Sequence, residues 1–326
     1  MNIKKEHEFK NEYINIFKNG EYKLASDTLA LLLVDQAKQS NIIWATDNYI
    51  KYGSKYEFNH EIDITLILGK HKNIIQPRIN KSIIEKQKRI KEKGEVFTPS
   101  WVCNHQNNLI DNVWFDEENV FNIEKEESWE SISNKIEFKK KRWQDYILDL
   151  RIEITCGEAP YIVSRYDTVS GNYIQIKDRI GVLDRKLRVI NENANEKKDW
   201  IHWAIKAYQS TYGYEWQGDN LLITRLNLLY TFIEYYEYKF NEVPNVELVN
   251  QIADIISWNF WQMDGLKGVI PNSCSDEKII GYNLFGEPDI SSCLGCETQN
   301  IFKHNGIYSI IKDWQNDKII RFVDIL

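Results

Sequence analysis

Apolar and polar positions recur along the chain in patterns that predict most of its helices and strands. Residues 1–40 are predicted to be helical, with an Asp/Thr start signal in "ASDTLALLLVDQAKQ". Polar and apolar residues alternate at the start of residues 61–69 and are followed by a run of apolar residues, which predicts a strand. From Ser100 onward the apolar spacing suits a helix, because Pro99 favours extended structure in the residue before it.

Strands and helices alternate between about residues 150 and 265. The stretch "LRIEI" predicts a strand, and the turn at Cys156-Gly157 predicts the start of a helix. Later come a helix, a short strand ending at Glu215, a strongly amphipathic helix, and a last helix running into a strand that ends at Asp264. This order predicts an open, mostly parallel sheet with helices on both faces. Residues 165–194 are predicted to be loop-like, with charged groups that form structural ion pairs.

The composition indicates a chain with a packed core. Of its 326 residues, 43% are hydrophobic and 13% aromatic, which is ample for that purpose. We expect a small N-terminal α+β region at residues 1–90 and a second domain at residues 91–326. The net charge of −7 argues against an overall basic coat for nucleic acid but leaves room for a local basic groove.

Three features of the sequence predict a cytoplasmic protein. No apolar run reaches the roughly 18 to 20 residues that a membrane span requires, and "MNIKKEHEFKNEY" lacks the apolar core of a signal peptide. The five cysteines are an odd number and too sparse for a disulfide scaffold, which is consistent with a reducing compartment. We therefore expect no membrane association.

Three predicted strand ends carry groups suited to a ligand, since ligands of doubly wound sheets bind at the carboxyl ends of the strands. The first is the tight turn Thr155-Cys156-Gly157. The second is Glu215, whose carboxylate suits both hydroxyls of a ribose. The third is Asp264, an acceptor for the exocyclic amine of adenine. Each has a plainer interpretation, because such turns often bind nothing and strand-end acids often cap helices or face solvent.

Four short motifs follow one another in the second domain. They are "GEVFTP" at residues 94–99, "EITCGEAP" at 153–160, "TYGYEWQGDNLLITRLNLL" at 211–229 and "FWQMDGL" at 260–266. In this order they resemble the motifs of the adenine-specific DNA methyltransferases of restriction–modification systems, both the subunit M and the fused restriction–methylase type. The first and third motifs are the most specific.

The resemblance implies a Rossmann-like, S-adenosylmethionine-dependent methyltransferase sheet with helices on both faces, within residues 91–326. It implies methyl transfer from S-adenosylmethionine to the amino nitrogen of adenine in double-stranded DNA, with a restriction or specificity subunit as a possible partner. In this reading, Phe97 and Thr98 lie at the methionine end of the cofactor, Glu215 at the ribose and Asp264 at the adenine. The full set of cofactor residues that it implies is Phe97, Thr98, Pro99, Thr155, Cys156, Gly157, Glu158, Glu215 and Asp264.

The cofactor turn departs from the family pattern. Glu158 and Ala159 stand where the family has a small residue and a glycine, and Pro160 suits the first turn of a following helix. Glu158 is placed either to bind the amino group of the cofactor's methionine or to repel its carboxylate.

A larger departure is the missing catalytic loop, which in this family reads Asp/Asn-Pro-Pro-Tyr/Phe and contacts the flipped adenine. None of the six prolines adjoins another, so the catalytic residues stay unassigned. The alternative function is therefore a catalytically degenerate subunit that binds cofactor or DNA and needs a partner to supply the loop.

Two further groups of residues leave alternatives open. Cys293 and Cys296 form a CxxC pair between Cys274 and His304, which is either a structural zinc site or a set of incidental thiols. The spacing is long for a compact knuckle, so we assign no metal ligand from sequence. Residues 70–93, with nine Lys or Arg and two Glu, either contact phosphates or form a solvated helix.

Overall fold

The computed structural model describes residues 24–95, 98–275 and 278–326. The protein is a mixed α/β structure with many helices and several small sheets. None of the helices in these three ranges combines the length and the apolar character needed to cross a membrane.

The N-terminal part is a mixture of short helices and a strand pair. The helix predicted over residues 1–40 is confirmed only at residues 26–33, since residues 34–41 form a strand hairpin and residues 1–23 lie outside the described residues. This part contains α1 (Ser26–Leu33), the short antiparallel pair β1 (Val34–Asp35) and β2 (Ser40–Asn41), and the helices α2 (Ile64–Ile67) and α3 (Ile83–Lys93). The strand predicted over residues 61–69 is therefore wrong. Asp63 caps a helical turn there by accepting a hydrogen bond from the backbone N–H of Thr65.

Helix α3 forms the second half of the basic segment, and both of its ends have clear capping residues. Ser82 caps its first turn by accepting from the backbone N–H of Glu85, and Gly94 ends it in the left-handed conformation, with a φ of 63°. The next elements are α4 (Ser100–Phe115), which was predicted, and the antiparallel hairpin of β3 (Asn122–Lys125) and β4 (Ser128–Ser131).

The centre of the fold alternates strands and helices as predicted. Its elements are α5 (Trp143–Leu148), β5 (Arg151–Ile154), α6 (Val182–Asn193), α7 (Lys197–Gln209), β6 (Thr211–Glu215), α8 (Gly218–Phe240), α9 (Val246–Asn259) and β7 (Phe260–Gln262). The strands form one parallel sheet in the order β5–β6–β7, with Ile154 beside Tyr214 and Tyr214 beside Trp261. Among the described residues, β5 pairs only with β6 and is an edge strand.

The turn after β5 does not open a helix, so that prediction is wrong. Thr155, Gly157 and Ala159 all have positive φ angles, between 54° and 62°, which right-handed helical backbone does not allow. The next helix, α6, begins only at Val182, inside the segment predicted to be loop-like. Pro160 therefore lies in an irregular turn and not in the first turn of a helix.

Helix α8 is the centre of the main core and is buried on all sides from Gly218 to Tyr236, where the sequence predicted an amphipathic helix. Apolar residues of the N-terminal part, including Trp44 and Ile62, belong to the same buried cluster as Leu222. The boundary near residue 90 therefore does not coincide with a separate core, although the domain division itself stays a prediction.

The second face of the parallel sheet is covered differently from the prediction. The C-terminal part contains β8 (Lys278–Tyr282), β9 (Pro288–Ser291), α10 (Leu294–Thr298), β10 (Ile310–Asp313) and β11 (Lys318–Arg321). Tyr214 and Trp261 pack against Ile311 of β10 and against Phe322, so the β10–β11 hairpin and the short 3₁₀ helix after it (Phe322–Ile325) cover that face at β6 and β7, where an α-helix was predicted.

Arg225 in α8 joins several of these elements. It is fully buried and donates hydrogen bonds to the carbonyl oxygens of Leu32, Val34, Ser257 and Phe260, at 2.6 to 3.3 Å. Burial lowers the pKa of its guanidinium to about 10. This one side chain thus connects the end of α1 with the end of α9 and the start of β7.

We predict that Arg225→Met lowers the free energy of unfolding by roughly 3 kcal/mol or more, because it leaves buried carbonyl groups without their donor. Urea unfolding followed by circular dichroism measures this. Arg142→Met is the matched control, since the Arg142 side chain is 75% exposed and its surface ion pair with Asp145 adds little to stability. Equal losses in the two variants would contradict the role given to Arg225.

Candidate functional site

A cavity of about 610 Å³ lies at the carboxyl ends of β5 and β6. Three separate parts of the chain form its walls: the segment before α4, the turn after β5, and the end of β6 with the start of α8. The lining residues are Gly94, Glu95, Thr98, residues 153–158, Pro160, Tyr161, residues 215–217 and Asn220. The volume lies within the range of small-molecule sites in proteins.

The turn after β5 is held firmly against β6. The N–H of Cys156 donates to the carbonyl of Tyr214 at 2.9 Å, and the N–H of Gly157 donates to Oε2 of Glu215 at 2.9 Å. The hydroxyl of Thr224 in α8 donates to the carbonyl of Gly157 at 2.5 Å. Gly157 has a φ of 56°, and nothing lies within 4 Å of the place where a side chain would begin, so the turn leaves open space beside the backbone.

Glu215 is the acid at the end of β6. Its side chain is buried at the cavity wall, and its Oε1 accepts from the N–H of Gln217 at 3.1 Å. Burial raises the pKa of Glu215 to about 7, with smaller contributions from Asp219 and Glu95, although its two backbone hydrogen bonds act the other way. Each oxygen of an ionised carboxylate accepts two hydrogen bonds, so each keeps one lone pair for a ligand.

The carboxylate of Glu158 is occupied by the protein itself. Its Oε1 accepts from the N–H of Arg78 at 2.6 Å, and its Oε2 accepts from the hydroxyl of Tyr166 at 2.6 Å. Burial raises the pKa of Glu158, and the ammonium of Lys81 partly offsets this. Glu158 therefore contributes its backbone to the cavity wall, while its carboxylate anchors the segment around Arg78.

Two acids in the cavity wall were not predicted as site residues. Oε1 of Glu95 and Oε2 of Glu153 are buried and have no hydrogen-bond partner among the described residues. Burial, and then the nearby Glu215, raise the pKa of Glu153 well above its usual value. No signal in the sequence marked Glu153, because an acid that alternates with isoleucines is the usual pattern of a strand with one solvent-facing side.

The "GEVFTP" segment contributes to the site only in part. Thr98 lines the cavity, and its carbonyl accepts from the hydroxyl of Thr168 at 3.1 Å. Pro99 is the residue directly before α4 and lies outside the cavity lining. Phe97, predicted at the methionine end of the cofactor, lies outside the described residues.

Asp264 lies two residues beyond the end of β7, in an isolated bridge with Val269, and it is not part of the cavity wall. Its Oδ1 accepts from the backbone N–H groups of Leu266 and Lys267, at 2.9 and 3.2 Å, and so closes a local turn. Its role at an adenine ring stays a prediction.

Part of the basic segment lies inside the protein beneath the cavity. Lys81 and Arg89 are buried and form ion pairs with the fully buried Asp219, which also accepts from the hydroxyl of Tyr49 at 2.7 Å. Arg89 and Lys81 hold the pKa of Asp219 well below its usual value despite its burial. These two cations are therefore not free to contact phosphates.

The charged groups of residues 165–194 pair with other parts of the protein, as predicted. Glu234 in α8 binds both Arg165 and Arg179, at 2.5 and 2.6 Å, and Arg185 binds Asp111 at 2.6 Å. This segment is therefore held against α8 and α4 by buried ion pairs.

A second cavity, of about 390 Å³, lies between β5, β6 and the C-terminal hairpin. Its walls are mostly apolar and include Leu150, Ile152, Tyr212, Trp261 and Phe322. It gathers none of the predicted site residues, so the polar cavity at the strand ends is the better candidate for chemistry.

Four side chains in the C-terminal part form a possible metal-binding cluster. The sulfurs of Cys274, Cys293 and Cys296 and Nδ1 of His304 all lie within 4.8 Å of one another. They are residues that the sequence offered as a possible zinc set, although no metal ligand was assigned from it. The remaining cysteines, Cys103 and Cys156, are buried elsewhere.

Comparisons with known proteins do not extend this description: no family model, no curated protein and no solved structure matches the chain.

We predict that Glu215→Gln changes how stability depends on pH. The folded-state pKa of about 7 is raised from 4.5, so the neutral form stabilises the wild type fully below pH 4.5, and this contribution is lost as the pH rises towards 7. The stability of the variant relative to the wild type should therefore rise over this window by up to about 3 kcal/mol. Urea unfolding at pH 4.5 and pH 7.5 measures the difference, and a constant difference would contradict the perturbed pKa.

Proposed function

We propose that the chain binds S-adenosylmethionine in the strand-end cavity and serves in methylation of the adenine amino group in double-stranded DNA, as a methyltransferase or methylase subunit of a restriction–modification system. One observation carries the proposal: the segments that resemble three of the family's motifs meet in one cavity. Glu95 and Thr98, the turn at residues 155–157, and Glu215 all line it. In this proposal β5, β6 and β7 belong to a Rossmann-like methyltransferase sheet.

The chemistry of the cavity wall supports a cationic, nucleoside-like ligand. Glu215 retains one lone pair on each oxygen for the hydroxyls of a ribose. Oε1 of Glu95 and Oε2 of Glu153 are buried without a partner among the described residues, so each can accept a hydrogen bond from an ammonium group. Oε2 of Glu95 already pairs with Arg89 at 2.8 Å. A sulfonium and an ammonium group give S-adenosylmethionine two positive charges.

When bound, the cofactor supplies the methyl group, which the amino nitrogen of adenine takes up in an in-line displacement. The chain's own residues therefore act by positioning and by charge. Glu215 orients the ribose, the open turn at Gly157 lets the ligand approach the backbone closely, and Glu95 and Glu153 hold the positive end. No described residue is assigned to the amine proton of adenine.

The second candidate function is a cofactor- or DNA-binding subunit that needs a partner for methyl transfer. Two observations favour it. The sequence has no Pro-Pro loop, and among the described residues the parallel sheet has three strands and thus no fourth carboxyl end to carry such a loop.

We predict that the wild type binds S-adenosylmethionine with micromolar affinity and that Glu215→Gln weakens binding at least about tenfold, because the variant cannot accept both ribose hydroxyls. Isothermal titration calorimetry measures the affinity. Glu130→Gln removes an acid of 71% exposure and should leave it unchanged. Equal affinities in wild type and Glu215→Gln would remove the ribose role, and a wild type that binds nothing at millimolar cofactor would overturn the proposal.

The two candidate functions differ in a methylation assay. With radiolabelled cofactor and adenine-containing duplex DNA, a complete methyltransferase labels the DNA alone. A subunit of the second kind labels it only when the products of neighbouring genes are added. Labelling by the isolated chain would support the first function, and labelling that requires the added proteins would support the second.

A further inference from the structure

The cluster of Cys274, Cys293, Cys296 and His304 has the dimensions of a tetrahedral metal site. The sulfur of Cys274 lies 3.3 Å from that of Cys293 and 3.6 Å from that of Cys296. Nδ1 of His304 lies 3.5, 3.5 and 3.7 Å from the three sulfurs. Zinc bonds of about 2.3 Å to sulfur and about 2.0 Å to nitrogen place such ligand atoms about 3.5 to 3.8 Å apart around one ion.

The backbone around the four ligands is shaped for this approach. A side chain at Gly295 would begin 2.5 Å from the backbone nitrogen of His304 and 2.6 Å from its Nδ1. A side chain at Gly306 would begin 2.9 Å from the nitrogen of Cys274. Only glycine at these positions lets the CxxC turn and the segment after His304 come close enough to bring the four ligand atoms together.

Neighbouring groups complete the site electrostatically. The N–H of Asn305 donates to the sulfur of Cys293 at 3.4 Å, and the ammonium of Lys267 lies beside the sulfur of Cys296. Three thiolates around a divalent ion leave one net negative charge, which Lys267 offsets. Such hydrogen bonds and counter-charges around the ligands are typical of metal sites.

We propose that these four residues bind one Zn²⁺ ion in a closed, structural site. Three thiolates select a soft or borderline metal over Mg²⁺ or Ca²⁺, and the Cys₃His set is a common zinc set, whereas iron–sulfur clusters usually take four cysteines. A disulfide would join only two of the sulfurs and would not explain why the third thiol and the imidazole lie at the same place. Four protein ligands leave no open position for a substrate.

The site fastens the C-terminal part to the sheet. Next to it, the N–H of Ile270 donates to the carbonyl of Ile307 at 2.8 Å, and the N–H of Ser309 donates to the carbonyl of Gly268 at 3.1 Å. The hydroxyl of Ser309 also donates to the carbonyl of Gln262 in β7 at 3.2 Å. The ion would thus close the chain between residues 274 and 304 and stabilise the hairpin that covers β6 and β7.

The first test is metal analysis of the full chain, purified under reducing conditions from cells grown with zinc. We expect one zinc ion per chain, measured by inductively coupled plasma mass spectrometry. Cys293→Ser and Cys296→Ser should lose it, whereas Cys103→Ser, which removes a buried thiol outside the cluster, should retain it. A wild type without stoichiometric zinc, or equal zinc in all four proteins, would overturn the proposal.

The second test covers the case in which the ligand variants fail to fold. The wild type is stripped with a chelator under reducing conditions and titrated with Co²⁺. A tetrahedral thiolate site gives strong visible absorption that saturates at one equivalent and is displaced by Zn²⁺. Only weak absorption, typical of Co²⁺ loosely held by water and carboxylates, would contradict the proposal. Neither test depends on S-adenosylmethionine, so failure of the proposed function leaves its result unaffected.

Discussion

The guanidinium of Arg225 fixes the position of β7, and the arrangement at the centre of the protein depends on it. Its donors reach carbonyl groups at the end of α1, at the end of α9 and at the start of β7, all from the buried face of α8. Because these carbonyls lie where helices end, they have no intrahelical partner and require a donor from elsewhere. Helix α8 therefore positions the elements around it by hydrogen bonds as well as by apolar packing. The same helix carries Thr224, which fixes the turn after β5, so the core and the candidate site share one support.

Several buried acids pair with basic residues that the fold turns inward. Asp219 forms ion pairs with Lys81 and Arg89, Glu234 with Arg165 and Arg179, and Asp111 with Arg185. Pairs of this kind gain little net stability over apolar packing, but removing one partner leaves an uncompensated charge. They therefore determine which segments lie together. Lys81 and Asp219 hold the segment around Arg78 beside the start of α8 in this way, and Asn220 from that helix start lines the strand-end cavity.

The sequence predicted the parts of this fold that local patterns determine. The parallel direction of β5, β6 and β7, the turn at Gly157 and the acid at Glu215 follow from element alternation, turn chemistry and strand ends, whereas the order of the strands in the sheet was not predicted. The helix expected after the turn failed because three positive φ angles in five residues are not encoded by any simple pattern. The inward direction of the Glu158 carboxylate could not be predicted either, because Arg78 and Tyr166 reach it from distant parts of the chain. The same holds for the four candidate metal ligands, which are spread over residues 274–304 of the chain and are brought close together only by the fold.

The edge position of β5 has a geometric consequence. Ile152 and Ile154 are 47% and 65% exposed on this strand, although parallel strands are normally covered on both faces. An edge of this kind is a template for another strand. Within the described ranges no second strand pairs with β5, and a parallel strand added to this edge would end beside Thr155, at the rim of the cavity.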